Sequence, residues 1–235
     1  MYEVVRERIH ERLHSGRWAA GDRIPTEGEL AREFGVGIGT IRRAVEDLVA
    51  EGLLIRRARI GTTVARLTDT RAFDMFFSFV DDAGTPVKVT ARLRSFRREK
   101  AGKELAERLG EERGAPVAKV ENIRMIDGTP VMLDRIWIPF SRFRELTPES
   151  FAARRDSIYS HYQEQYGVSV VRVLEDLDAC AADADLARLL ELKAGTPLLR
   201  IERTAFTFKD TPVEFRVRFV NPGYARYRNV RGLQD

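Results

Sequence analysis

The sequence predicts an α+β protein of two domains, on three observations. The first quarter of the chain shows helical periodicity in three short segments and then two strand-like runs. The remainder alternates short helices with longer strand-like runs, and part of this pattern occurs twice. A chain of 235 residues with 43% apolar side chains is long enough for two hydrophobic cores.

Composition excludes several classes of protein. Charged residues make up 32% of the chain, and no long uncharged apolar run interrupts them. We therefore expect a cytoplasmic protein without a membrane segment or a cleaved signal. With one cysteine, Cys180, and three histidines, we also expect no intrachain disulfide, no metal site and no cofactor.

The N-terminal part of the chain predicts three helices. The stretch from Thr26 to Glu29 has the form of a capping box, which begins the second helix. Gly35 to Gly37 then forms a turn of the length that joins the two helices of a helix-turn-helix. The apolar residues at helical spacing are Val5, Ile9 and Leu13 in the first helix, Leu30, Ala31 and Phe34 in the second, and Ile41, Ala44, Val45 and Leu48 in the third.

A basic hairpin follows the third helix. Residues 53–57 and 62–66 alternate as strands do, around a turn that carries Arg59. From Met1 to Arg66 the chain contains twelve arginines and no lysine. A guanidinium group makes paired hydrogen bonds to phosphate or to a guanine edge, so this composition suits nucleic acid. Three helices and a basic hairpin predict a winged helix-turn-helix DNA-binding domain over residues 1–66.

Residues 67–84 read as a connector, and residues 85–235 as a second domain. In the second domain, Gly114 and Pro116 correspond to Gly195 and Pro197 at one constant offset. Each copy reads as a helix, a glycine-x-proline turn, a strand, a polar hairpin turn and a return strand. With two further strand-like runs, at residues 87–97 and 168–179, the pattern predicts an antiparallel sheet of about six strands with helices on one face.

Specific stretches of both domains are similar to known families. Residues 21–27, 30–36, 40–44, 48–53 and 61–62 together resemble the DNA-binding domain of GntR-family bacterial transcription regulators. Residues 93–96, 105–110, 114–116, 127–131, 157–159, 164–167, 195–203 and 212–214 resemble the UTRA effector-binding domain of the HutC-like subfamily, whose fold is shared with chorismate lyase. The resemblance implies a ligand-responsive repressor that binds double-stranded operator DNA as a homodimer.

The resemblance also implies which residues contact DNA. Relatives commonly carry an arginine that reads guanine where this chain has Ile38, and many have arginine where it has Gly28. An isoleucine can contact at most a thymine methyl group, so a different operator sequence is expected. The residues implied to contact DNA are Thr26, Thr40, Arg42, Arg43, Arg57, Arg59, Gly61 and Thr62.

A small-molecule effector is implied to bind the second domain. Arg124 and Ser157 suit an anionic group, whereas Glu214 suits hydroxyl or amine groups. Relatives often carry serine where this chain has Ala91 and arginine where it has Asn122. Each difference removes a polar or cationic group from the implied site. The residues implied to line the site are Thr90, Arg92, Asn122, Arg124, Ser157 and Glu214.

Two other functions stay open from the sequence. Because the second domain shares its fold with a lyase, the chain can be an enzyme joined to a DNA-binding domain, although no acid-base pair of residues emerges. Alternatively, the second domain serves only to dimerise a constitutive DNA-binding protein. Arg92 and Glu175 can be interpreted equally well as exposed charges paired across strands or as effector contacts.

Overall fold

The computed structural model describes residues 1–57, 59–65, 79–154 and 157–229. The described residues divide into two compact units: those within Met1–Asp69 and Asp156–Val171 form the first, and those within Thr70–Arg155 and Arg172–Asp235 form the second. Residues 67–78 of the predicted connector lie outside the described residues. The domain boundaries expected from the sequence stay a prediction.

The described chain contains both helices and strands. The helices are α1 (Tyr2–His14), α2 (Glu27–Phe34), α3 (Ile38–Ala50), α4 (Lys103–Leu109), α5 (Pro148–Ala152), α6 (Ile158–Tyr166) and α7 (Ala184–Leu189). The strands are β1 (Leu54–Arg57), β2 (Gly61–Val64), β3 (Phe79–Val80), β4 (Thr90–Lys100), β5 (Pro116–Ile126), β6 (Thr129–Pro139), β7 (Arg172–Ala181), β8 (Pro197–Thr207), β9 (Thr211–Val220) and β10 (Arg226–Tyr227).

The helices and hairpin of the first unit form as the sequence predicts. Thr26 Oγ1 accepts a hydrogen bond from the Glu29 amide, and the Glu29 carboxylate accepts one from the Thr26 amide, which confirms the capping box. The predicted stripe of α3 is fully buried. In α2, Leu30 and Phe34 are buried, whereas Ala31 is only half-buried. The antiparallel pair of β1 and β2 closes with Arg57 opposite Gly61.

The second unit contains a six-stranded antiparallel sheet in the order β4-β5-β6-β9-β8-β7. The predicted α+β class is confirmed, and the repeat is longer than expected by one strand. Each copy consists of a strand, a short helix and a hairpin, namely β4-α4-β5-β6 and β7-α7-β8-β9. The Ala101 amide donates to the Ala115 carbonyl, and at the matching place of the second copy the Ala182 amide donates to the Thr196 carbonyl, at 2.9 and 2.8 Å. The two copies meet where β6 pairs with β9.

The two faces of this sheet differ in character. One face, called the apolar face below, packs against helices: Ile123, Leu133, Phe215, Val217 and Phe219 contact buried residues of α4 and α7 there. The ion pair of Glu121 with Arg135 lies on the same face. Residues on the opposite face include many ionised side chains, because alternate residues of a strand point to opposite faces. The apolar face explains why the short helices α4 and α7 fold, since each buries its apolar side there.

Strand β4 begins later than the sequence predicts, at Thr90 rather than at Val87. Val87 instead packs in a small apolar cluster with Phe79, Met132 and Ala225. Phe79 belongs to β3, which lies in the described part of the predicted connector. Its side chain is buried. β3 pairs with β10 near the end of the described chain.

Candidate DNA interface and candidate effector site

The candidate DNA interface is the part of the first unit formed by the start of α3 and the β1-β2 hairpin. Arg42, Arg43, Arg57 and Arg59 all have exposed side chains there, whereas Thr40, Gly61 and Thr62 are half-buried. Exposed cations at the start of a recognition helix and on a wing are the groups that contact DNA phosphates in winged helix-turn-helix proteins. All these residues lie on elements that the sequence predicts.

One carboxylate, that of Glu27, joins three elements of this surface. Its Oε2 accepts a hydrogen bond from Arg42 Nε in α3 at 3.0 Å, and its Oε1 accepts one from Arg56 Nη2 in β1 at 2.6 Å. Glu27 is the first residue of α2. Because exposed ion pairs contribute at most about 1 kcal/mol, Arg42 can exchange this carboxylate for a phosphate at small cost. Sequence reasoning missed both Glu27 and Arg56, since nothing in the spacing shows that α2, α3 and the hairpin converge there.

Two of the predicted DNA contacts also have structural roles. The Arg43 guanidinium lies over the ring of Tyr2 in α1, 5.2 Å from its centroid. The Thr26 hydroxyl is engaged by Glu29, and these hydrogen bonds lower the pKa of the Glu29 carboxyl. The DNA contacts of Arg43 and Thr26 stay predictions.

The wing places an arginine where glycine is usually favoured. Arg59 has a φ of 65°, the left-handed region that disfavours a residue with a Cβ atom. Its side chain is exposed and forms no ion pair with any residue that the structure describes. Beside it Ile60, like Ile38 at the start of α3, is 49% exposed. A strained and exposed arginine without an ion pair inside the described unit suits a contact outside it.

The candidate effector site lies on the polar face of the second unit's sheet, around Asp134. The Asp134 carboxylate is completely buried in β6 and faces β9, in register with Arg218. Arg218 donates to it from Nε at 2.5 Å and from Nη2 at 3.1 Å, and Arg124 Nε donates at 2.7 Å. Arg216 Nη1 lies 3.6 Å from the same carboxylate. Asp134 therefore joins guanidinium groups of β5 and β9.

A second buried carboxylate completes this cluster. Glu214 accepts two hydrogen bonds from Arg216, each of 2.9 Å, and both side chains are buried. Three guanidinium groups against two carboxylates leave these five side chains with one positive charge in excess. Burial alone raises the pKa of Asp134, but the three arginines hold it well below its ordinary value. Burial lowers the pKa of Arg218 to about 10, so this guanidinium stays charged at neutral pH.

Asn122 lies beside the cluster with its amide unsatisfied. It stands opposite Asp134 in the register of β5 with β6, which places both side chains on the polar face. The residue is completely buried, and neither its Oδ1 nor its Nδ2 has a hydrogen-bond partner among the described residues. Leaving a buried polar group unpaired costs about 1 to 3 kcal/mol. An amide in this position indicates a place for a polar group that the described residues do not supply.

The structure brings three of the six predicted effector residues, Asn122, Arg124 and Glu214, to one face of the sheet. Thr90 and Arg92 are exposed on β4 in register with Met125 and Ile123, which pack on the opposite, apolar face. Ser157 belongs to the first compact unit, where it caps α6 by accepting a hydrogen bond from the Ser160 amide at 3.1 Å. The effector roles of Thr90, Arg92 and Ser157 stay predictions.

Sequence reasoning missed Asp134, Arg216 and Arg218. A signal for the two arginines exists: Glu214, Arg216 and Arg218 recur at every second position of a strand that is otherwise mostly apolar. Such spacing places all three on one face, and three ionised side chains on one face of a central strand are unusual.

Comparisons with known proteins agree with this geometry. Residues 1–64 match the model of bacterial regulatory proteins of the gntR family, and residues 86–223 match the UTRA domain. The chain belongs to the GntR family. Its relatives include the "Probable fructoselysine utilization operon transcriptional repressor" of Escherichia coli (strain K12), 31% identical over 91% of this chain and 87% of the relative. Another is the HTH-type transcriptional repressor NagR of Bacillus subtilis (strain 168), 28% identical over 91% of this chain and 87% of the relative.

A solved structure supports the fold of the second unit. The ligand-binding domain of a GntR-family transcriptional regulator from Bordetella bronchiseptica superposes with a TM-score of 0.65 at 30% sequence identity. The match covers 67% of this chain and 98% of that domain. Family membership makes this GntR chain a ligand-responsive transcription regulator rather than an enzyme, which removes the lyase alternative.

Two expected absences concern the described part of the GntR chain only. There, no helix has the length and apolar character needed to cross a membrane. Over the same residues, histidine, cysteine and acidic side chains nowhere gather in a group of three that could hold a metal ion.

We expect Arg59→Gly to raise the free energy of unfolding by about 1 kcal/mol, because glycine adopts the left-handed conformation without steric cost. The same variant should bind duplex DNA more weakly, and its salt dependence should fall by roughly 0.9 in slope, because one phosphate-neutralising charge is lost. Urea denaturation measures the first effect. Titrations of a random-sequence duplex at several salt concentrations measure the second.

Lys209→Gly is the matched control for this experiment. Lys209 is also a cation in a hairpin turn, with a φ of 57°, but it lies in the second unit. Its replacement should leave DNA affinity unchanged. Equal affinity of Arg59→Gly and the wild type, or an equal loss in both variants, would contradict a DNA contact by Arg59.

We expect Asp134→Asn to destabilise the chain by about 3 to 5 kcal/mol at pH 7, because it removes the buried carboxylate that Arg124 and Arg218 bind. The folded pKa of Asp134 is depressed, so its contribution is complete above the ordinary value of 3.8 and is lost as pH falls below it. Urea denaturation between pH 7 and pH 3 should show a smaller pH dependence for the variant. Asp178→Asn, in an exposed pair with Arg200, should cost no more than about 1 kcal/mol.

Proposed function

We propose that this GntR-family chain is a cytoplasmic repressor that binds a two-fold operator as a homodimer and releases it when a small anionic metabolite binds the polar face of its sheet. The observation that carries the proposal is the completely buried amide of Asn122, which has no hydrogen-bond partner among the described residues and lies beside the arginines that bind Asp134. The named repressors among its relatives support the sign of regulation.

The chemistry of the cluster supports an anionic effector. Guanidinium groups make charge-assisted, paired hydrogen bonds to carboxylate and phosphate groups, and three of them lie in this cluster. Arg124 is the most accessible of the three arginines, with 16% of its side chain exposed against 4% for Arg216 and 3% for Arg218. Arg124 is therefore the guanidinium that an incoming phosphate or carboxylate reaches first, and Asn122 pairs with a neighbouring hydroxyl or amide group of the same molecule.

The first unit supports the DNA-binding half of the proposal. A homodimer places two recognition helices about one turn of DNA apart, so the operator has two half-sites related by two-fold symmetry. Arg42, Arg57 and Arg59 bind phosphates and position the protein, whereas Ile38 faces the bases. An exposed isoleucine at the start of α3 selects thymine through its methyl group.

Replacing Ile38 tests how the operator is read. We expect Ile38→Arg to shift the selected half-site towards guanine, with about 1 to 3 kcal/mol of discrimination, because arginine pairs with two acceptors of that base. Selection of binding sites from a randomised duplex library measures the preference of each protein. If both proteins select the same sequence, residue 38 does not face the bases.

A thermal-shift screen of phosphorylated sugars, organic phosphates and carboxylic acids tests the effector. A member present at 100 times its dissociation constant should raise Tm by roughly 5 to 10 °C, because ligand binding stabilises only the folded state. The same compound should release operator DNA in a gel shift. Arg124→Ala should abolish both responses.

Arg92→Ala is the control for the screen, since Arg92 lies on the opposite face of the sheet. It should respond as the wild type does. A response that survives Arg124→Ala but not Arg92→Ala would move the effector site to the other face. A protein that binds DNA and responds to no member of the screen would favour a constitutive DNA-binding protein.

A further inference from the structure

The internal repeat supplies a matched pair of positions on the polar face of the sheet. In the second copy, Glu175 of β7 stands opposite Arg203 of β8. In the first copy, an irregularity between Leu93 and Ser95 shifts β4 by one residue, so the same place in the register holds Leu93 opposite Asn122 of β5. The equivalent hydrogen bonds of Ala101 and Ala182 align the two copies with one another. The two copies thus share a geometry but differ in the side chains placed there.

In the second copy, a carboxylate of the chain itself fills the position. Glu175 Oε1 accepts a hydrogen bond from Arg203 Nε at 2.7 Å and lies 2.6 Å from Arg203 Nη2. The other oxygen of Glu175 accepts a hydrogen bond from the Tyr227 hydroxyl. Arg203 is only 5% exposed and Glu175 only 13%. The pair is thus a buried carboxylate site with an occupant, and not the exposed cross-strand charge that the sequence left open for Glu175.

In the first copy, the equivalent position has no such occupant. Leu93 carries no charge, and Asn122 has an amide without a partner among the described residues. Arg124, two positions further along β5, supplies a guanidinium at the edge of this position, where the second copy has Ala205. In the second copy, Arg203 binds a carboxylate of the chain itself, that of Glu175. In the first copy, the position beside Asn122 suits the carboxylate or phosphate of a separate molecule.

We propose that Arg203, together with Tyr227, forms a carboxylate-binding site that the chain occupies with its own Glu175. It is the internally filled counterpart of the effector site in the first copy, and this correspondence rests on the proposed function. The existence of a carboxylate site at Arg203 does not rest on it, because the site is defined by its own contacts. Its ligand class is a small carboxylate, since a side-chain carboxylate already fits it.

Glu175 also contacts β10, the strand that pairs with β3. Tyr227 lies in β10, which pairs with β3, and its ring packs edge-on against Phe79 of β3 with centroids 5.6 Å apart. The Arg218 guanidinium, which binds Asp134, also lies over the Phe79 ring, 5.6 Å from its centroid. Glu175 and Asp134 therefore both act on β3, one through Tyr227 and the other through Arg218.

Chemical rescue of Glu175→Ala tests the site directly. The variant opens a space for a small carboxylate beside Arg203, and its Tm should fall by roughly 5 to 15 °C because a buried pair is broken. Sodium acetate or formate should restore a large part of this loss, whereas sodium chloride at the same ionic strength should not. Hydrogen exchange at Arg226 and Tyr227 should become faster in the variant and slow again with acetate, since the Tyr227 hydroxyl regains its acceptor.

Glu175→Gln is the matched control, because its amide fills the space without a charge. It should lose stability as well, but acetate should not restore it. Acetate that stabilises the wild type, Glu175→Gln and Glu175→Ala equally would overturn the proposal, as would chloride that rescues Glu175→Ala as well as acetate does.

Two further outcomes are decisive. If Glu175→Ala is recovered folded only from buffer that contains acetate, that recovery is itself the rescue. If it stays unfolded in acetate while Glu175→Gln folds, the carboxylate site is excluded. None of these measurements uses DNA or an effector, so a failed rescue rejects the Arg203 site, whereas a failed effector screen rejects the proposed function.

Discussion

The second unit depends on a buried carboxylate, Asp134, at the junction of its two repeats. Within the described sheet the repeats pair where β6 runs beside β9, and Asp134 binds arginines on both sides of its own strand. An apolar residue of similar volume would join the strands at lower cost, because buried ion pairs rarely exceed their desolvation penalty. A network that is expensive for stability and lies beside the unsatisfied amide of Asn122 supports the proposed ligand site on this face.

The first unit solves a different problem, which is to expose cations on a stable scaffold. Its capping box and the buried stripe of α3 are formed by residues of the unit itself. The arginines are held in weak contacts: Arg42 and Arg56 share Glu27, and Arg43 rests on Tyr2. Contacts of this strength orient a side chain and yield readily to a phosphate. The binding surface is thus arranged in advance, and little free energy is lost when DNA replaces the internal partners.

The sequence predicts the elements well wherever local rules act alone. Capping chemistry marks α2, helical spacing marks the buried stripe of α3, and the repeat offset marks both hairpins. It predicts the effector face less well, because the face to which Thr90 and Arg92 point depends on where β4 begins and on how it aligns with β5. The partners of Asp134 are missed for a related reason: register across three strands brings Arg124, Asp134 and Arg218 together, and no local signal encodes that register.

The asymmetry between the repeats connects stability with regulation. If side chains of the protein filled both equivalent positions of the sheet, the protein would be stable but would not respond to an effector. If both positions were open, the loss of stability would occur twice. Filling the second with Glu175 secures β10 and β3, while the unsatisfied amide of Asn122 keeps one position that an effector can occupy. A ligand shifts an equilibrium only by its differential affinity for the two states. On the proposed function, that differential affinity arises where an effector pairs with the unsatisfied amide of Asn122, which lies in the first repeat.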